Sequence, residues 1–119
     1  MKPGHTGLKR LAHAARFSVR GLAACWRHES AFRQESLLTL IAIPLGLYLG
    51  DSGIERALLV ASVLLVPVVE LLNTGVETVV DRVGEGEHPL SGRAKDVGSA
   101  AVLLALVLAA AVWALVLLG

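Results

Sequence analysis

Residues 57–82 read ALLVASVLLVPVVELLNTGVETVVDR, and this stretch decides the fold because it joins a long apolar run to a polar face. Ionisable groups within an apolar span cost about 2.5–3.5 kcal/mol each at mid-helix, so this face must look into a helix bundle or a wet cavity. A structural ion pair alone would not need so many polar positions. At steps of three and four they share one helix face, and they are Glu70, Asn73, Thr74, Glu77, Thr78 and Asp81.

The rest of the chain has the same segregation of apolar and charged residues. It has 119 residues, of which 55% are hydrophobic, and its charges crowd into residues 1–35 and 81–96. A soluble domain of this size would need polar residues throughout to cover its core. Apolar stretches of roughly 18 or more residues predict membrane spans instead, here over about 31–50, 54–83 and 97–118. A cytoplasmic loop is predicted over 84–96, with Ser91 capping the last helix, and Trp113 is interpreted as an anchor at the outer interface.

The basic residues predict the orientation of these spans. Seven of them precede the first span, whereas the connection between the first two spans holds only Arg56 beside Asp51 and Glu55. By the positive-inside rule, the N-terminus and the second connection are cytoplasmic and the C-terminus lies outside. The seven are Lys2, Lys9, Arg10, Arg16, Arg20, Arg27 and Arg33.

Residues 6–27 predict an amphipathic helix that precedes the spans. Basic residues flank one apolar stripe, a pattern typical of a helix that lies on an anionic inner leaflet. A helix packed on another protein surface is the alternative, because amphipathicity alone does not identify the partner. The stripe recurs at steps of three and four and consists of Leu8, Leu11, Ala15, Val19, Leu22 and Trp26.

Carboxylates and cations near the cytoplasmic side suggest phosphoryl transfer. Glu29 and Glu35 lie at the same predicted depth as Glu77, and two carboxylates from two helices can share one Mg²⁺. Glu29 can equally be read as a solvated charge beside basic neighbours. Glu70 is a candidate base, and no Walker or dinucleotide-binding glycine motif is present. The candidate phosphate ligands are Arg10, Arg93 and Lys95.

Three segments resemble the prokaryotic diacylglycerol kinase family. They are ESAFRQE at 29–35, VELLNTGVETVVDR at 69–82 and LSGRAKDVGSAAV at 90–102. The resemblance implies an all-α membrane protein, with one domain over residues 1–119, a surface helix and three transmembrane helices per chain. It also implies a homotrimeric bundle in the bacterial inner membrane, with active sites shared between subunits. Small residues permit close helix contact in such a bundle, and those noted here are Gly75, Gly98, Ala100 and Ala101.

The same resemblance implies an activity and a set of residues. The activity is ATP-dependent phosphorylation of diacylglycerol to phosphatidic acid with Mg²⁺, and nucleic acid is not an expected partner. Glu70 would accept the proton, Asn73 would position groups, and Glu29 and Glu77 would bind the metal and its nucleotide. Further nucleotide contacts would be Arg10, Phe17, Gly86, Glu87, His88, Lys95 and Asp96. Lipid contacts would be Arg10, Ala14, Ala15, Arg16, Phe17, Ser18, Val19, Ala23, Ala24, Cys25, Trp26, Ala31, Phe32, Arg33, Gln34, Glu35, Tyr48, Leu49, Gly50, Asp51, Arg56, Glu70, Ser99, Trp113, Ala114, Leu115, Val116, Leu117 and Leu118. Phe17 and Val19 stand where family members can have Tyr and Trp.

Three other functions fit parts of the sequence. An undecaprenol kinase of the same family would use the same motifs on a longer lipid alcohol. A small proton-coupled transporter would use Glu70 as its relay, but it would not explain Arg93, Lys95 and Asp96 on the cytoplasmic side. A non-catalytic membrane subunit would not require Glu29, Glu70 and Glu77 together.

Overall fold

The structure is a computed structural model that describes residues 6–84 and 88–119, and these residues form four α-helices. The helices are α1 (Gly7–His28), α2 (Ser30–Leu49), α3 (Gly53–Val83) and α4 (Pro89–Leu118). The all-helical prediction is therefore confirmed. The predicted nucleotide contacts Gly86 and Glu87 lie outside the described residues.

Helix α3 is the central helix of the bundle and contacts each of the other three. It packs most extensively on α4, then on α2, while α1 makes few contacts with either α2 or α3. Within the described part of the chain, α3 and α4 are the two helices long and apolar enough to cross a membrane. Helix α2 was also predicted to span, but Arg33 and Glu35 lie in its first two turns and lower its hydropathy.

A short turn, residues 50–52, brings α2 and α3 together in an antiparallel pair. Ser52 Oγ accepts a hydrogen bond from the backbone N–H of Glu55, and Glu55 Oε1 accepts one from the N–H of Asp51. These bonds satisfy donors at the start of α3 that have no helical partner. Gly50 is needed here because a Cβ would lie 2.7 Å from Arg56 Cγ. Arg56 Nε donates to the carbonyl of Leu47 at 3.2 Å, near the end of α2.

Helix α4 begins earlier than the sequence predicted. The loop predicted over residues 84–96, with Ser91 as the cap of the last helix, is too long because the chain is helical from Pro89 onward. His88 is the N-cap residue, and its Nδ1 accepts the backbone N–H of Leu90 at 3.1 Å. Pro89 follows at the first helical position, where its fixed φ suits a helix and its missing N–H costs nothing. Ser91 therefore lies inside the helix rather than at its cap.

A proline in α3 creates the polar contact that joins α2 to α3. Pro67 has no N–H, so the carbonyl of Val63 loses its usual helical donor. The buried hydroxyl of Thr39, on α2, lies 3.2 Å from that carbonyl oxygen and 2.8 Å from the carbonyl of Glu35. The side chain of one helix thus replaces a backbone donor that the other helix lacks.

Replacing that hydroxyl should destabilise the bundle by an amount that depends on Pro67. We expect Thr39→Val, which keeps the shape, to lower the free energy of unfolding in detergent by about 0.6–2 kcal/mol. The loss should be smaller in a Pro67→Ala background, because the alanine N–H can pair with the Val63 carbonyl. Equal losses in the two backgrounds, measured by unfolding in a denaturing detergent, would contradict this role for Thr39.

Helix α1 is attached to the other helices at its C-terminal end. Arg33 Nη1 donates to the carbonyls of Trp26 at 2.7 Å and Arg27 at 3.2 Å, where a cation also suits the helix terminus. Cys25 is buried, with its Sγ 3.5 Å from Thr74 Oγ1 on α3, and this burial raises the pKa of its thiol. The remaining part of the predicted surface helix keeps its apolar stripe exposed.

The far end of the bundle is closed by Trp113. Its indole N–H donates to the carbonyl of Leu59, a completely buried residue of α3, at 3.1 Å. Gly46 makes room for this contact, since a Cβ there would lie 3.4 Å from Trp113 Cζ2. The polar atom of Trp113 is therefore bonded to α3, at the end of the bundle that the sequence assigned to the outer interface.

Candidate active site

The carboxyl of Glu70 is enclosed between α3 and α2. Glu70 is 5% exposed. The carboxyl of Glu35, on α2, lies within hydrogen-bonding and electrostatic range of the Glu70 carboxyl. Oε2 of Glu35 is buried and has no hydrogen-bond partner among the described residues. Two ionised carboxylates are both acceptors, so this contact becomes a hydrogen bond only when the pair shares a proton. The arrangement is that of a carboxyl pair able to hold and exchange one proton.

One turn further along α3, Asn73 is bonded to the next carboxylate of that helix. Its Nδ2 donates to Glu77 Oε1 at 3.2 Å. Its Oδ1 is buried without a hydrogen-bond partner among the described residues and faces α4 at Gly98. Asn73 therefore fixes one oxygen of Glu77 and leaves the other oxygen of that carboxylate available.

The corner between α1 and α2 brings a second carboxylate toward Glu77. Glu29 is the residue between the two helices and has an extended backbone, with φ −120° and ψ 106°. Its charge acts on the carboxyl of Glu77, which also interacts electrostatically with Glu70. In a single chain, the carboxyl of Glu77 thus interacts electrostatically with both Glu29 and Glu70.

An ion pair lies beside this cluster, where α3 ends and α4 begins. Lys95 Nζ is 2.7 Å from Asp81 Oδ1, and both side chains are substantially exposed. The ammonium of Lys95 also acts electrostatically on Glu77. Lys95, the predicted phosphate ligand, therefore lies within electrostatic range of Glu77.

The acidic residues suit a metal that needs few protein ligands. Among residues 6–84 and 88–119, no group of three or more His, Cys, Asp or Glu side chains is arranged to hold a metal ion. Mg²⁺ is commonly bound by one or two carboxylates, with water and nucleotide phosphates completing its octahedron. The pair of Glu29 and Glu77, with one Glu77 oxygen held by Asn73, fits that chemistry.

The other predicted nucleotide residues are distributed over two helices. His88 caps α4, and Asp96 is exposed on the same helix. Arg10 and Phe17 lie on α1, where Arg10 borders a pocket lined only by α1 residues and the Phe17 ring stacks on His13 with centroids 6.4 Å apart. No described contact brings these two side chains to the carboxylates.

The predicted lipid contacts fall at both ends of the bundle. One group lies on α1 and the start of α2, near the acidic cluster, and the other lies at the α2–α3 turn and the end of α4. The stretch of α2 between Glu35 and Tyr48 separates the two groups by roughly 20 Å at 1.5 Å per residue. The side chains of Cys25 and Phe32 are buried in the chain and pack on protein, whereas Tyr48 and Ser99 are exposed.

Two positions near the cluster have contacts that sequence reasoning missed. Glu35 was predicted as a lipid contact, but it is paired with Glu70. Its spacing from Thr39 is one helical turn, so a polar face on α2 was visible in the sequence. Gly98 contacts Asn73, and no sequence pattern distinguishes it from other small residues of the last helix.

The chain belongs to the prokaryotic diacylglycerol kinase family, because the sequence model of that family matches residues 16–117. It is 49% identical over 112 residues to the diacylglycerol kinase of Escherichia coli (strain K12), covering 94% of this chain and 92% of that relative. It is 51% identical over 108 residues to the diacylglycerol kinase of Haemophilus influenzae, covering 91% and 92%. It is 49% identical over 116 residues to the diacylglycerol kinase of Pseudomonas aeruginosa, covering 98% of this chain and 94% of that relative. The resemblance is confirmed, and the chain is an enzyme.

Proposed function

We propose that this enzyme transfers the γ-phosphoryl group of ATP to the free hydroxyl of diacylglycerol, giving phosphatidic acid and ADP, with Mg²⁺ as cofactor. The observation that supports this most directly is a buried carboxyl, Glu70, one to two turns from Asn73 and from the carboxylate pair Glu29 and Glu77. The names of the relatives favour diacylglycerol over undecaprenol as the lipid.

On the lipid side, Glu70 acts as the general base. Its carboxylate takes the hydroxyl proton as the lipid oxygen forms a bond to the γ-phosphorus and the bond from that phosphorus to the ADP oxygen breaks. Glu35 provides a second carboxyl that can share the proton. The enclosure of Glu70 between α2 and α3 also keeps bulk water from competing with the lipid hydroxyl.

On the nucleotide side, the acidic cluster and Lys95 bind the donor. Mg²⁺, when bound, would neutralise charge on the β- and γ-phosphate oxygens. Glu29 and Glu77 are the residues that would hold it, and Asn73 keeps one oxygen of Glu77 in place. Lys95 would exchange its contact with Asp81 for a phosphate oxygen, since a phosphate offers a stronger charge-assisted hydrogen bond.

The first test is phosphorylation of each lipid by the purified protein in mixed micelles. Labelled ATP is supplied with diacylglycerol or with undecaprenol, and we expect product from diacylglycerol. Glu70→Gln should lower kcat by roughly 10²–10⁴-fold without weakening ATP binding, because it removes a base and keeps the shape. Glu55→Gln, at the far end of α3, is the matched control and should retain activity. Preference for undecaprenol, or normal turnover by Glu70→Gln, would contradict the proposal.

The second test addresses the shared metal. Glu29→Ala and Glu77→Ala should each raise the Mg²⁺ concentration needed for half-maximal activity. The double variant should lose less than the product of the two single effects, because groups that act on one ion are not independent. The measurement is a Mg²⁺ titration at fixed ATP. Fully multiplicative losses would assign the two carboxylates to separate functions.

We also infer that the protein spans the inner membrane three times and assembles as a homotrimer, with its N-terminus in the cytoplasm and its C-terminus outside. The apolar faces of α3 and α4 are widely exposed in a single chain, which supports coverage by lipid and by neighbouring helices. Helix α1 has few contacts with the rest of its own chain, which supports completion of the site by a second subunit.

The assembly can be measured without reference to activity. Native mass spectrometry of protein released from micelles should give a mass of three chains, because the α3 and α4 faces of one chain are too apolar to be left without partners. Chemical crosslinking in native membranes serves as the control for detergent effects. A monomer under both conditions would exclude shared active sites.

A further inference from the structure

Gly98 on α4 lies directly against the amide of Asn73 on α3. A Cβ placed on Gly98 would overlap Asn73 Oδ1 and would lie 3.1 Å from Asn73 Cγ. The side chain of Asn73 therefore occupies the space that any other residue at position 98 would need for its first carbon atom.

This contact differs from those of the other helical glycines that the structure describes. A Cβ on Gly46 would lie 3.1 Å from Leu59 Cβ and 3.4 Å from Trp113 Cζ2, so the glycine there makes room for apolar atoms only. A Cβ on Gly75 or Gly92 would meet no atom of the described residues within 4 Å. Among the described helical glycines, Gly98 is the one whose missing side chain makes room for a polar group of the active site.

The contact also fixes which end of the Asn73 amide faces Glu77. The hydrogen that a Cβ would replace on Gly98 points at Oδ1, in the manner of a weak Cα–H···O bond. With the oxygen on α4, the planar amide directs its nitrogen to Glu77 Oε1. A reversed amide would set its oxygen against a carboxylate oxygen, and two acceptors cannot bond.

We propose that Gly98 is a positioning residue for the magnesium–nucleotide site. Its lack of a side chain seats the Asn73 amide, and the amide in turn holds one oxygen of Glu77 so that the other can face the cation. The proposal rests on the function proposed above for Glu77. A methyl group at position 98 would displace the amide, because Asn73 can rotate away more easily than two packed helices can separate.

The experiment compares Gly98→Ala with Gly92→Ala, a control on the same helix where a methyl group meets no neighbour. Binding of a non-hydrolysable ATP analogue is measured with Mg²⁺ present, together with thermal unfolding without nucleotide and kinase activity. Gly98→Ala should weaken Mg²⁺-dependent analogue binding by about 10–100-fold, the usual cost of losing a partner that orients a metal ligand. Gly92→Ala should bind as the wild type does.

A second pair of variants separates positioning from packing. In an Asn73→Ala background, Gly98→Ala should have no further effect on analogue binding, because the amide through which it acts is gone. If Gly98→Ala lowers thermal stability, the double variant should recover it. If Gly98→Ala weakens analogue binding equally in both backgrounds, position 98 serves backbone packing and the inference is overturned. The same conclusion follows if the double variant does not recover the thermal stability that Gly98→Ala loses.

Failure of the proposed function gives a different result. If the wild type binds no analogue with Mg²⁺, the function proposed for Glu77 is wrong and the inference falls with it. If the wild type binds the analogue and Gly98→Ala binds it equally well, the function stands and the inference alone is refuted.

Discussion

The enclosure of the Glu70 carboxyl is the constraint on which the rest of the structure depends. A charged or polar group in an apolar environment must find partners, because its desolvation otherwise costs several kcal/mol. Those partners come from α2, where Glu35 meets the carboxyl and Thr39 satisfies a carbonyl that Pro67 leaves free. The antiparallel pairing of α2 and α3 is thus fixed by polar contacts, and apolar packing fills the space around them.

The polar face of α3 is divided between two neighbouring helices. Glu70 is directed toward α2, whereas Asn73, only one turn later, is directed toward α4. Glu77 lies between these directions and toward Glu29 at the corner of α1 and α2. The candidate site therefore lies along α3, where α1, α2 and α4 each contact that helix, and the contacts that hold the bundle are also those that orient its carboxylates.

Much of this architecture was predictable because the local signals were strong. Periodicity placed α1, α2 and α3 to within about two residues and identified the polar face of α3. The start of α4 was predicted three residues late, at a Ser91 cap, because Pro89 and Gly92 resemble loop residues, while the decisive signal was a His88–Pro89 cap. The bond from Trp113 to α3 was not predicted, because a tryptophan near a span end has the same sequence whether its N–H meets water or a carbonyl. Two features depend on contacts between helices, which spacing along one helix does not encode. They are the pairing of Glu35 with Glu70 and the space that Gly98 leaves for the Asn73 amide.

The bond between Thr39 and the Val63 carbonyl has a consequence for how such a sequence can change over time. A lineage can exchange Pro67 for another residue at any stage, because the new N–H restores the helical bond and the threonine hydroxyl still has the Glu35 carbonyl to bond. If the hydroxyl of Thr39 were lost first, the carbonyl of Val63 would be left without a hydrogen-bond donor. Substitutions at these two positions therefore have a permitted order, and descendants that keep the proline should also keep a hydroxyl at position 39.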